Sequence, residues 1–213
     1  MDKTFFGLFH LFVKCSGVYS DEELLQLLGI PIKTFTGTTD YDGILGENIV
    51  YISENKDWVH ISDECALLLW HISQVKLGLE KLATKHDVFY CAIHDYCSTF
   101  PDPYTFAYYK NGKKLREVVY DPKPEKRIYF GKPLKIEETL TIVGDIVHFS
   151  VDRSCNWLRD RLYRLFGRTR ILHEPQLINL GIAKSIGIDC NHENCIFRGY
   201  EIDTLAVNEE EHW

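Results

Sequence analysis

Two short clusters of cysteine and histidine contain the residue types in this sequence best suited to binding a metal ion. Each cluster holds three such residues: Cys91, His94 and Cys97 in the first, and Cys190, His192 and Cys195 in the second. Thiolate and imidazole groups are the usual ligands of zinc, and a structural zinc site takes four of them, commonly from two short segments. The two clusters together therefore form a candidate zinc site.

The spacing inside the first cluster argues against zinc. Zinc-binding segments place their first ligands on a tight turn, whereas Cys91 and His94 fall in an apolar run, residues 88–94, that predicts a buried strand. Two strand residues three positions apart point to opposite faces of a sheet. Because buried cysteine packs like a small hydrophobic residue, we expect no cofactor and keep zinc as the alternative.

Nucleophilic catalysis is the other chemistry that this region suggests. Cys97 lies beside Ser98 and close to Asp95, but a cysteine enzyme also needs a histidine that the fold brings alongside. The nine histidines give no basis for choosing one, and the sequence contains no G-x-S-x-G, H-E-x-x-H, P-loop or G-x-G-x-x-G motif. We therefore predict no catalytic residue and favour a protein that is not an enzyme, with an enzyme using the Cys/His clusters as the alternative.

The formal net charge of −7 limits the possible partners. Indiscriminate nucleic-acid binding needs a positive field that neutralises phosphates. One segment is basic although the whole chain is acidic: residues 154–166 predict an amphipathic helix that carries Arg159 and Arg161. A single basic helix is a small footprint for nucleic acid, so nucleic-acid binding is a second alternative that we do not favour.

Cysteine usage and hydropathy together indicate the compartment. The seven cysteines are an odd number, lie mostly among apolar residues and are too sparse for a small disulfide-linked scaffold. The apolar run at residues 5–13 predicts a first strand and not a targeting segment. No run approaches the roughly 20 apolar residues of a membrane helix. We expect a cytoplasmic protein with reduced thiols and no membrane partner.

Two segments carry the signals of helices. Ser20 and Glu23 form a capping box, and Gly29 is placed to end that short helix. The longest helix is predicted over residues 62–85, with Ser62 as its cap. Its apolar positions step by three and four residues along one stripe, namely Cys65, Leu68, Ile72, Val75, Leu79 and Leu82.

Strand signals surround this helix. An Asn-Gly pair at Asn111 predicts a hairpin between strands 104–109 and 115–120. Further strands are predicted over residues 127–130 and 195–207. The polar, glycine-rich residues 36–48 predict a loop. The fold class predicted is α+β: a mainly antiparallel sheet packed by one long helix (62–85), with a more helical C-terminal part. Residues 1–213 are predicted as a single domain with a soft boundary near residue 138.

The order of these elements resembles a known group of proteins. The segments "DWVHIS", a capped helix, "VFYCAIHD", "YTFAYYKNGKKLREVVYD" and "GKPLKIEE" follow one another between residues 57 and 138. This order is similar to that of uncharacterised bacterial proteins of the polymorphic-toxin immunity type. The resemblance implies a small cytosolic α+β protein that binds and blocks a partner toxin, and it carries no catalytic residue across.

The leading functional prediction is therefore a bacterial immunity protein, a toxin inhibitor that acts by protein binding. An acidic surface would suit a basic toxin, and tyrosines make good interface anchors where they reach the surface. The residues predicted for the partner surface are Asp40, Asp42, Glu47, Tyr104, Tyr109, Tyr120, Arg159 and Arg161.

Overall fold

In the described part of the chain, an antiparallel sheet of nine strands dominates the computed structural model of the protein. The structure describes residues 9–40, 48–63, 73–93, 104–122, 125–132, 134, 181–189 and 195–203. The strands are β1 (Phe9–Val13), β2 (Ile32–Thr39), β3 (Ile49–Asn55), β4 (Trp58–Asp63), β5 (Val88–Ile93), β6 (Tyr104–Lys110), β7 (Lys113–Pro122), β8 (Glu125–Phe130) and β9 (Phe197–Ile202). Their order in the sheet is β2-β9-β3-β4-β1-β5-β6-β7-β8, so β2 and β8 are the edges of the sheet that the described residues form.

Two helices, α1 (Asp21–Leu27) and α2 (Ser73–Ala83), pack against one face of this sheet. The capping box that begins α1 is confirmed: Ser20 Oγ accepts from the Glu23 backbone, and the Glu23 carboxylate accepts from the Ser20 backbone. Leu24, Leu25 and Leu28 are buried in one core with every second side chain of the central strands, those that point toward the helices. We call the side of the sheet that the two helices cover the helical face.

The opposite side of the sheet, which we call the aromatic face, holds a second core. Phe12, Phe89 and Phe106 from the central strands are fully buried here. Residues 181–185 are helical, and Ile182 and Ala183 pack on these rings. Because side chains of a strand alternate between faces, each central strand contributes to both cores and is covered on both sides.

The predicted long helix is wrong at its start. Ser62 and Asp63 are the last residues of β4, paired with His10 and Phe9 of β1, and Ser62 therefore caps no helix there. The helix that the structure describes in this region is α2, with 11 residues. Strand pairing on both sides of β4 satisfies the backbone of these two residues, and this non-local pairing overrides the local capping signal.

The predicted fold class is wrong as a whole, because the nine-stranded antiparallel sheet outweighs the short described helices. The part after residue 138 was expected to be more helical. This is wrong for its described residues, of which only 181–185 are helical. The strand predicted over residues 195–207 occurs as β9, which lies inside the sheet between β2 and β3. The predicted helix over 154–166 lies outside the described residues, and the single domain with its soft boundary stays a prediction.

The predicted loop at residues 36–48 is also wrong over its first part, since β2 extends to Thr39. Two register shifts interrupt the pairing of β2 with β9, and Gly37 adopts a positive φ of 117° beside one of them. Glycine tolerates this conformation, which explains how a glycine-containing polar segment joins the sheet.

A buried thiol in the helical-face core gives the fold a testable pH dependence. Cys15 is 3% exposed, and burial, followed by the nearby Glu54 carboxylate, raises the pKa of its thiol from 9.0 to about 11. Between pH 9 and pH 11 the Cys15 thiol is deprotonated in the unfolded chain but remains protonated in the folded chain. Stability contributed by Cys15 is therefore complete below pH 9 and is lost as pH rises through 11, by about 2 kcal/mol.

Urea unfolding of the wild type and of Cys15→Ala across this pH interval measures the effect. The alanine variant is expected to be less stable at pH 8 because it leaves a small cavity, yet its stability should fall less steeply between pH 9 and 11. Tyr108, whose pKa burial raises to about 12, titrates in both proteins and cancels in the difference. Equal slopes for the two proteins would contradict the prediction.

Candidate functional site

The edge strand β8 carries the largest run of exposed apolar side chains among the described residues. Ile128 is 41% exposed, Tyr129 is 59% exposed and Phe130 is 49% exposed. Register with β7 places Tyr129 opposite Val118 on the aromatic face, and Phe130 opposite Glu117 on the helical face. We call these three side chains the β8 patch. These side chains lie on both faces of one edge strand. Exposed apolar side chains grouped in this way mark interaction sites more often than scattered single residues do.

The two edges of the sheet differ in regularity. β8 pairs with β7 over six consecutive residues without a register shift, whereas the pairing of β2 with β9 contains two shifts. Bulges twist an edge strand and hinder a further strand from pairing with it. The β2 edge is therefore protected from strand addition, whereas β8 has the unbroken register that favours it.

An arginine fixes the end of β8 to its neighbour. Arg116 of β7 is buried, and its Nη1 donates to the carbonyl oxygens of Phe130 and Gly131, both at 3.2 Å. Its guanidinium carbon lies 5.7 Å from the ring centre of Tyr129, in the range of a cation–π contact. Gly131 has a φ of 77°, and a Cβ there would lie only 2.9 Å from the carbonyl carbon of Leu115. Glycine at this position thus allows the close approach.

A second cation packs between rings on the helical face of the same edge. Lys114 Nζ lies 5.4 Å from the ring centre of Tyr109 and 5.8 Å from that of Phe130, and it forms a 3.0 Å ion pair with Glu117. Burial alone would lower the pKa of Lys114, but the Glu117 carboxylate and Tyr109 keep it above its ordinary value. Tyr90 completes the group, since its hydroxyl donates to Glu117 at 3.4 Å. Burial, followed by this carboxylate, raises the pKa of Tyr90 well above its ordinary value.

The charge around the β8 patch is opposite to that of the whole chain. The described residues 110–122 and 125–132 contain seven lysines and arginines but three acids, in a chain whose formal net charge is −7. Lys110, Lys113 and Lys132 are exposed here. The other end of the sheet is acidic, because α1 begins with Asp21, Glu22 and Glu23. The sheet therefore has one acidic and one basic end.

The residues predicted for a partner surface are distributed over several regions. Asp40 is exposed directly after β2. Tyr104 of β6 is paired with Tyr120 of β7 in the sheet register, and Tyr109 is buried beneath Lys114. The remaining predicted residues lie outside the described part of the chain: Asp42, Glu47, Arg159 and Arg161. Of the described members of the predicted set, the tyrosines lie closest to the β8 patch in the order of the strands.

Sequence reasoning missed the β8 patch itself. A strand over residues 127–130 was predicted, but its three consecutive large apolar residues were not assigned to a surface. The available signal was the pattern "KRIYF", in which two basic residues precede the apolar run. A strand pattern does not show which strand lies at the edge of a sheet. The sequence alone therefore does not predict that the side chains of β8 are exposed.

A row of buried polar side chains on the aromatic face is the other candidate for chemistry. His10 Nδ1 and His60 Nε2 are 3.0 Å apart, so one ring donates a hydrogen bond to the other. Cys91 lies opposite His10 on β5, and Ser53 lies opposite His60 on β3. All four are buried. These are residue types that can act as nucleophile and base, but their burial separates them from solvent.

The sheet separates Cys91 of the first Cys/His cluster from Cys195 of the second. Among the residues that the structure describes, no group of three or more His, Cys, Asp or Glu side chains is arranged to hold a metal ion. Cys91 in β5 and Cys195 beside β9 are separated by three intervening strands, which corresponds to roughly 19 Å along the sheet. These two cysteines cannot bind one ion together. His94, Cys97, Cys190 and His192 lie outside the described residues, so a separate site in either cluster stays a prediction.

Comparisons with known proteins add no family to this geometry. No protein-family model, no curated protein and no solved structure matches the chain. None of the helices in the described ranges is both long enough and apolar enough to span a membrane. The resemblance to immunity proteins over residues 57–138 stays a prediction.

Proposed function

We propose that this chain is a non-catalytic protein-binding module of the immunity type, which acts in the bacterial cytoplasm by occluding a partner toxin. The observation that carries the proposal is the β8 patch: Ile128, Tyr129 and Phe130 are exposed at consecutive positions of an edge strand. Aromatic residues are enriched in the cores of protein interfaces, and tyrosine is among the residues that contribute most to binding energy.

Enzymatic function receives less support from the described residues. His10 is 4% exposed and His60 is 2% exposed, beneath aromatic neighbours on the same face. A general base must reach the substrate proton within hydrogen-bonding distance. The side chains with catalytic chemistry are thus enclosed in the core, whereas the accessible features are apolar and charged surfaces suited to binding.

Co-expression with the products of neighbouring genes tests the proposal. We expect a stoichiometric complex with one of them, in which the toxic activity of that partner is lost. Tyr129→Ala should weaken the complex by about tenfold or more, the effect of removing an interface anchor. Phe35→Ala is the matched control, because Phe35 is an aromatic residue of similar exposure, 52%, on the opposite edge strand.

The proposal fails if no neighbouring product forms such a complex, or if the complex leaves the activity of the partner intact. Equal weakening by Tyr129→Ala and Phe35→Ala would keep a binding function but remove the β8 patch as its location. Unfolding temperatures of both variants establish that each folds, since both side chains are largely exposed and their replacement should cost little stability.

A further inference from the structure

We propose that the β8 edge accepts an extended acidic segment of a partner protein as a tenth strand of the sheet. This inference rests on the proposed binding function and names the chemistry of the partner. Within the described residues, β8 pairs only with β7, and no strand lies on its outer side. Alternate residues of an edge strand direct their N–H and C=O groups outward, where a peptide in extended conformation can pair with them.

The edge is already held in the conformation that strand addition requires. Arg116 bonds the carbonyls of Phe130 and Gly131, and Gly131 packs against the backbone of Leu115. Pairing of β8 with β7 is regular over all six residues. A strand that is ordered before binding loses little conformational freedom when a partner arrives, so more of the contact energy appears as affinity.

The charge of this end of the sheet selects the partner. Lys110, Lys113 and Lys132 are exposed around the β8 patch, and the described residues 110–122 and 125–132 carry an excess of four positive charges. An acidic segment is attracted by this field, whereas the β8 edge of a second copy would bring the same positive charge and be repelled. The bulged β2 edge of a second copy is likewise unsuited to regular pairing.

The alternation of the β8 side chains adds a further requirement. Tyr129 lies on the aromatic face, while Ile128 and Phe130 lie on the helical face. A strand added beside them would place its own side chains alternately against both surfaces. The expected segment therefore has apolar residues at its centre, where it contacts the patch, and acidic residues at its flanks.

Protein is favoured over nucleic acid as the occupant. The two cations nearest the rings are already engaged, Lys114 with Glu117 and Arg116 with the carbonyls of Phe130 and Gly131. Single-stranded nucleic acid stacks its bases on rings along a basic groove, whereas the rings of Tyr129 and Phe130 lie on opposite sides of the sheet.

Selection of displayed random dodecapeptides on the full-length protein tests the inference. We expect enriched peptides to be acidic with an apolar centre and to bind less tightly at higher salt. Tyr129→Glu should weaken them by about tenfold or more, while Phe35→Glu, which makes the same charge change on the opposite edge, should not. Methylating alternate backbone nitrogens of a selected peptide should abolish binding for one of the two alternating sets only, because a single set faces β8.

Several results would overturn the inference. The first is that no peptide is enriched more strongly on the wild-type protein than on the Tyr129→Glu variant. The second is that the enriched peptides lack acidic residues, and the third is that the two methylation patterns weaken binding equally. Tighter binding of a thymidine oligonucleotide to the same edge, or a dimer that Tyr129→Glu dissociates, would assign the edge to another occupant. If a toxin is still bound and inhibited in any of these cases, the proposed function stands and only the strand-addition mode fails.

Discussion

Replacing His60 by alanine is expected to lower the free energy of unfolding by about 3 kcal/mol or more. The imidazole is 2% exposed and stacks on Phe12, with ring centres 4.4 Å apart and planes 7° from parallel. Truncation removes this packing, leaves a cavity in the middle of the sheet and deprives His10 of a hydrogen bond at 3.0 Å. Chemical unfolding in urea at neutral pH measures the loss.

The hydrogen bond can be separated from the packing by a double-mutant cycle. His60→Leu and His10→Leu each leave one buried imidazole without the other, and the double variant removes both. The double variant should be more stable than the sum of the single losses indicates, by about 1 to 2 kcal/mol. Additive losses would show that the two rings act independently, contrary to the contact described here. Ser53→Ala, at a buried position opposite His60, serves as a control for the same region.

Replacing Gly78 by alanine is expected to destabilise the protein by about 2 kcal/mol, although helix propensity alone predicts a gain of about 1 kcal/mol. Gly78 lies in α2 where it meets the end of α1, and a Cβ there would lie 2.5 Å from Leu28 Cα and within contact of the Leu27 carbonyl. These are backbone atoms, which cannot rotate away. The helices must therefore separate, and packing of Leu24 and Leu79 in the shared core is disturbed.

Glu80→Ala provides the matched control for Gly78, because Glu80 lies in the same helix and is exposed. Its replacement should change stability by no more than about 0.5 kcal/mol. Thermal and urea unfolding of the two variants give the comparison. A stabilised Gly78→Ala variant would mean that propensity outweighs the close contact, and that α1 and α2 do not approach each other as described.

Local signals in the sequence were sufficient for the elements they control. The capping box of Ser20 and Glu23 and the Asn-Gly turn at Asn111 depend on neighbouring residues, and both occur as predicted. Ser62 shows the limit of this reasoning. Its sequence context favours a helix cap, but pairing with β1 and β3 places it in a strand, and strand partners distant in sequence leave no local pattern.

The candidate site was harder to predict than the elements because it depends on strand order. β8 was recognised as a strand, yet its role as the sheet edge follows from the placement of all nine strands. β9 similarly enters between β2 and β3 although more than a hundred residues separate it from either. Exposure of Tyr129 and Phe130 is a property of this arrangement and not of the residues themselves.

The position of β9 has a consequence for synthesis of the chain on the ribosome. β3 is complete at Asn55, but the strand that covers its outer side is not made until Ile202. At ordinary translation rates this interval lasts on the order of ten seconds, during which β3 presents an open apolar edge containing Val50 and Ile52. The nascent chain thus passes through an interval in which a chaperone, or premature pairing with another chain, competes for the place that β9 finally takes.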